Sequence, residues 1–121
     1  MKKIHKELIV QAIIEKYKKD YDQVNFQTGF LQGYEKPGKI ILKGNDSEGY
    51  TPDVVMEGPD RLELFEVEMG KQYHPEKWRL FSLFSNKQKG SFNIVTPEEQ
   101  LPQMREFLDM NNIDARILYF S

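Results

Sequence analysis

The chain has 121 residues, 39 % of them apolar and 30 % charged, with no cysteine and a net charge of −2. This is the length and composition of about one globular domain, residues 1–121, large enough to bury a core. Disulfides and thiolate metal sites are excluded, and no apolar run approaches the roughly 20 residues that a membrane-spanning helix needs. Met1-Lys2-Lys3 is basic, but no signal-type apolar stretch follows it, so a cytoplasmic protein with no membrane partner is the expectation.

Residues 2–20 predict an amphipathic helix, because Ile4, Leu8, Ile9, Ala12, Ile13 and Tyr17 recur at three- and four-residue steps between lysines. Residues 21–51 are the least legible part. Phe26 and Phe30-Leu31 are assigned to a strand, Lys36-Pro37-Gly38 to a turn, residues 39–43 to a second short strand, and residues 44–49 to a loop. Residues 52–56 form a strand opened by Pro52, where a missing N–H does least harm. Gly58-Pro59-Asp60 turns the chain into a strand over 62–68. Its alternation puts Leu62, Leu64, Glu66 and Glu68 on one face, and Glu63, Phe65 and Val67 on the other.

A helix over 75–88 starts with Pro75 in its first turn and carries Trp78, Phe81 and Phe84 as its apolar stripe. Residues 91–95 read as a strand. Thr96-Pro97-Glu98-Glu99 has the form of a helix start, with Thr96 as cap and Glu99 closing a capping box. That helix runs to about Met110, with Leu101, Met104, Phe107 and Leu108 inward, and residues 115–120 close the chain as a strand. With two or three strands counted before the second helix, the order α-β-β-β-α-β-α-β predicts an α/β fold whose mixed sheet is antiparallel in its first half, parallel in its second, and flanked by helices.

Charge is distributed in blocks. Residues 1–20 hold six lysines against three acids, and residues 46–68 hold eight acids against Arg61 alone. Residues 71–89 hold five cations against Glu76. An acidic block between two basic ones suits a metal site beside a polyanion track, although charge clustering alone more often solvates a surface.

The acidic block contains Pro52-Asp53, twelve further residues, then Glu66-Val67-Glu68. A hairpin would set Asp53, at the start of one strand, beside Glu66 and Glu68 at the end of its neighbour. Such a set of hard oxygen ligands suits Mg2+ or Mn2+. On their own, each of these acids has an ordinary structural reading, as a turn aspartate or as the solvent-facing end of an edge strand. Their spacing on these elements favours the metal reading. Other signatures are absent: there is no P-loop, no GxGxxG, no HExxH and no nucleophile elbow. With only His5 and His74, a histidine-rich zinc site is not expected.

Pro-Asp-x12-Glu-x-Glu, preceded by one helix and followed by a basic one, resembles the PD-(D/E)XK nuclease superfamily, which includes restriction endonucleases and Holliday-junction resolvases. The resemblance implies a restriction-endonuclease-like core. It also implies Mg2+-dependent hydrolysis of DNA phosphodiester bonds, with Asp53 and Glu66 as metal ligands and the Val67 carbonyl as a further one. Glu68 stands where the family usually has a lysine, and becomes a general base or an additional ligand. Lys77 on the following helix is the leading substitute for that lysine, with Lys71 next. Family members often place a glutamate on the first helix, for which Glu7 is the first choice and Glu15 the reserve.

Lys71, Gln72, Lys77 and Arg79 are the expected nucleic-acid contacts. His74 reads more simply as a surface or capping histidine, and Trp78 as a core residue rather than a base-stacking platform. A homodimer or a larger partner is expected to supply specificity. The competing functional reading is a catalytically inactive member of the same fold, serving as a nucleic-acid-binding or assembly module. A third is an unrelated α/β fold with coincidental surface acids.

Overall fold

The computed structural model describes residues 2–41, 49–70 and 72–121. Helix α1 spans Lys2–Asp20 and is followed by strand β1, Asn25–Thr28. β2 (Val54–Glu57) and β3 (Leu62–Val67) form a hairpin. Helix α2 (Pro75–Lys87), β4 (Phe92–Pro97), α3 (Leu101–Met110) and β5 (Arg116–Phe120) complete the chain. The five strands lie in chain order in one sheet, with β1, β2 and β3 antiparallel and β3, β4 and β5 parallel. The predicted α/β class, element order and mixed sheet are those observed. Among the described residues no helix is long and apolar enough to cross a membrane.

The sheet is covered on both sides, so its central strands are buried residue after residue. Val54, Met56, Phe65, Val67 and Val95 face α1, where they pack on Val10, Ile13, Ile14 and Tyr17. The Tyr17 ring meets Phe65 edge-on at 5.1 Å. Val55, Leu64, Phe92 and Ile94 face the opposite way, against Trp78 and Phe81 of α2 and Met104 and Leu108 of α3. Trp78 is fully buried, as its place in the apolar stripe predicts.

The structure corrects four local expectations. The buried stripe of α1 is Val10, Ile13, Ile14 and Tyr17, while Leu8 is 56 % exposed and Ala12 is exposed. Apolar residues point almost all round this helix, so two stripes satisfy helical spacing, and Phe65 and Val67 select one of them. Thr96 does not cap a helix: it is fully buried in β4, whose pairing with β5 continues to Pro97↔Phe120. A single 3₁₀ turn, Glu98–Gln100, separates that strand from α3. Strand pairing has outcompeted the local capping signal. Phe30 and Leu31 lie beyond β1, which ends at Thr28. Of the strand expected over 39–43, only Ile40 pairs, in a lone bridge to Tyr50, and residues 42 and 43 lie outside the described residues.

Close backbone approach fixes the entry to β4. Two residues past α2, Lys89 takes the left-handed region at φ 61°, and Gly90 donates its N–H to the Ser85 carbonyl at 2.9 Å. A Cβ on Gly90 would lie 1.7 Å from the Leu62 carbonyl oxygen, an atom held by the β2–β3 hairpin. Gly90→Ala is therefore expected to destabilise the fold by about 3 kcal/mol or more, read as a lowered urea midpoint at unchanged slope. A wild-type midpoint would show that this approach relaxes freely.

Candidate active site

The β2–β3 register pairs Val54 with Phe65. One step further along, Asp53 stands opposite Glu66, where the backbone ladder gives way to side chains. The Asp53 N–H donates to Glu66 Oε2 at 2.9 Å, and the Val67 N–H donates to Asp53 Oδ2 at 2.8 Å. Each acid thus satisfies a main-chain donor at the end of the strand pair. Thr28, fully buried at the end of β1, donates its hydroxyl to the Asp53 carbonyl at 2.7 Å and accepts the Phe30 N–H at 3.2 Å. Asp53 is consequently fixed from both neighbouring strands.

Two lysines complete the arrangement. Lys6 of α1 brings Nζ to 3.1 Å from Asp53 Oδ2, and Lys77 of α2 brings Nζ to 2.8 Å from Glu66 Oε1. Asp53 and Glu66 are 8 % and 4 % exposed. Burial, then the Asp53 charge, push the Glu66 carboxyl up to about 7, because the Lys77 ammonium and the Asp53 N–H offset only part of that cost.

The structure brings together three of the expected site residues, Asp53, Glu66 and Lys77, with Val67 contributing its N–H. Glu68 does not join them. Its Oε2 accepts the N–H groups of Gly70 at 3.1 Å and Gln72 at 3.3 Å, so the carboxylate is turned onto the loop that follows β3. Among the described residues no three His, Cys, Asp or Glu side chains gather into one cation-binding group. The expected convergence of three acids is therefore a pair.

Among the described side chains of α1, the one that reaches the site is Lys6, not Glu7. Glu7 is half-buried and stands roughly 100° further round the helix. Glu15 is exposed, with Gln11 beside it at 3.4 Å. Arg79 lies on another side of α2 from Lys77 and binds the Asn111 carbonyl at 2.9 Å, tying α2 to the end of α3. Gln72 and His74 are exposed, and Lys71 lies outside the described residues.

Sequence reasoning missed Lys6 and Thr28. Lys6 was findable, since it precedes Val10 by four residues and so lies on the stripe that α1 buries. Thr28 carries no comparable signal, because its partner is 25 residues away. Comparison with protein-family models, with curated proteins and with solved structures gave no match.

A carboxyl raised in the folded state favours folding while it is protonated and loses that contribution as pH rises through its folded value. Between pH 4.5 and about 7, ionisation of Glu66 should therefore lower stability, on the order of 3 kcal/mol, relative to a Glu66→Gln variant. Denaturation of the two proteins at several pH values checks this. Parallel profiles would mean that Glu66 titrates as it does in the unfolded chain.

Proposed function

We propose that the chain is a metal-dependent nuclease of the PD-(D/E)XK type, hydrolysing DNA phosphodiester bonds at Asp53 and Glu66. The observation that carries this reading is the meeting of two buried carboxylates at the end of the β2–β3 pair, reached by a lysine from each side of the sheet. The α-β-β-β-α-β order around the pair supports it.

The donor set fits Mg2+, which is commonly held by one or two carboxylates, with waters and substrate phosphates filling the octahedron. Asp53 and Glu66 would hold it. Once bound, the ion supplies positive charge to a phosphate oxygen and makes a water more acidic. Bonds to main-chain N–H groups keep the two carboxylates in place, so little reorganisation is needed when a substrate arrives. Lys77 and Lys6 supply charge for the phosphate. Glu68, the third acid of the motif, would serve as a base only if it left the Gly70 and Gln72 N–H groups. Specificity would then come from a homodimer or a larger partner.

The bonds from Glu68 to Gly70 and Gln72 favour one alternative, a catalytically inactive member of the same fold that binds nucleic acid or assembles with a partner. Plasmid, single-stranded and branched DNA incubated with Mg2+ or Mn2+ distinguish the two readings. Asp53→Ala/Glu66→Ala should lower cleavage by roughly 100-fold or more. Equal background from wild type and double variant would leave the inactive module as the better description.

A further inference from the structure

Asp53 and Glu66 meet each other already neutralised. With both acids ionised, the two carboxylates and the two ammonium groups sum to no net charge. Each acid carries one ammonium group: Asp53 Oδ2 has Lys6 at 3.1 Å, and Glu66 Oε1 has Lys77 at 2.8 Å.

The four side chains are not equally free to move. The carboxylates are anchored by the Val67 and Asp53 N–H groups, and their side chains are 11 % and 6 % exposed. The lysine side chains are 28 % and 22 % exposed, and each is a flexible four-carbon stem. In that same position the Lys6 Nζ also lies 4.8 Å from the centre of the Phe30 ring. Displacement of the ammonium groups therefore costs less than displacement of the acids.

We propose that Lys6 and Lys77 are built-in competitors for the cation: they occupy the carboxylates when no cation is bound and are released toward solvent when one enters. Released in this way, the two ammonium groups become available to phosphate oxygens at the mouth of the site. Cation and polyanion then help each other to bind, because each favours the state in which lysine and carboxylate are apart, and such coupling is reciprocal. This rests on reading Asp53 and Glu66 as a cation site, and it adds Lys6 to that site in a role that no acidic ligand could fill.

Calorimetric titration with Mn2+ alone, at constant ionic strength, tests it on the wild type, Lys6→Gln, Lys77→Gln and Lys6→Arg. Glutamine keeps a hydrogen-bond donor for the carboxylate and removes the charge, and circular dichroism checks that each variant is folded. Lys6→Gln and Lys77→Gln should each bind Mn2+ at least about fivefold more tightly than wild type, whereas Lys6→Arg, which keeps the charge, should not. Binding by the glutamine variants where the wild type shows none would support the proposal equally. Unchanged or weaker affinity in folded glutamine variants, beside a wild type that binds, would overturn the competition and leave the cation site standing. No binding by any of the proteins would remove the cation site and the competition together.

Discussion

Everything at the site depends on the pairing of β2 with β3, in the register that sets Val54 against Phe65. Side chains alternate along a strand, so a slip of one residue would exchange the faces of β3 and carry Glu66 toward α1. The pattern of apolar residues prevents the slip. Val54, Met56, Phe65 and Val67 fit against α1, and Val55 and Leu64 fit against α2 and α3. The hairpin adds a local constraint, for the Gly58 N–H donates to the Arg61 carbonyl at 2.9 Å across Pro59 and Asp60. Hydrophobic packing that never touches the acids therefore decides that Asp53 and Glu66 stand opposite one another.

The same strand carries a second buried acid, and the contrast is informative. Glu63 is 3 % exposed near the start of β3, on the α1 face. It accepts the Ser91 N–H at 3.1 Å and the Asn93 amide at 3.0 Å, with Arg116 at 3.8 Å. Arg116 in turn donates to Asn93 Oδ1 and to the Tyr17 hydroxyl. In this network the planar donors of β4 and β5, with the accepting Tyr17 hydroxyl of α1, tie the layers together. The Asp53–Glu66 pair is organised differently. Its cations are flexible lysines rather than a fixed guanidinium, and the two acids oppose each other's charge. A buried ion pair often does no better than break even against apolar packing, so cross-linking the layers is better served by the Glu63 arrangement. In the Asp53–Glu66 arrangement each acid instead meets a lysine more exposed than itself.

Legibility in the sequence followed the strength of local pattern. The strand over 62–67 and the helix over 75–87 were readable because Leu62 and Leu64, then Trp78 and Phe81, repeat at the period of their own element. The acidic pair was readable because both acids lie at the ends of such elements. The face of α1 was not, since Leu8-Ile9-Val10 and Ala12-Ile13-Ile14 offer the sheet two stripes, and only Phe65 and Val67 choose between them. The expectation of Glu7 came from the family resemblance, and this ambiguity left its register open. Thr96 misled for a different reason: a capping signal is local, and the parallel partner that overrides it lies more than twenty residues away. The Glu63–Asn93–Arg116 network was invisible on the same ground. The alternation of basic, acidic and basic blocks was informative in a literal way, because one lysine from each basic block reaches one acid of the central block.

The positions of those lysines carry a further electrostatic argument. In a strand–helix–strand crossover the helix begins where the first strand ends, so α2 directs its N-terminus toward the end of β3 that bears Glu66. The partial positive charge there favours anions and disfavours cations, by about 0.3–1 kcal/mol for a group in the first turn. Lys77, two residues into α2, is therefore placed against the preference of its own helix. Its ion pair with Glu66 offsets that penalty, and removal of the carboxylate charge would leave the ammonium facing a helix N-terminus with no compensation. Glu66 gains from both the helix end and the lysine, yet still protonates far more readily than an exposed glutamate because burial and Asp53 outweigh them. At Glu66, burial and the Asp53 charge thus work against the helix end and Lys77.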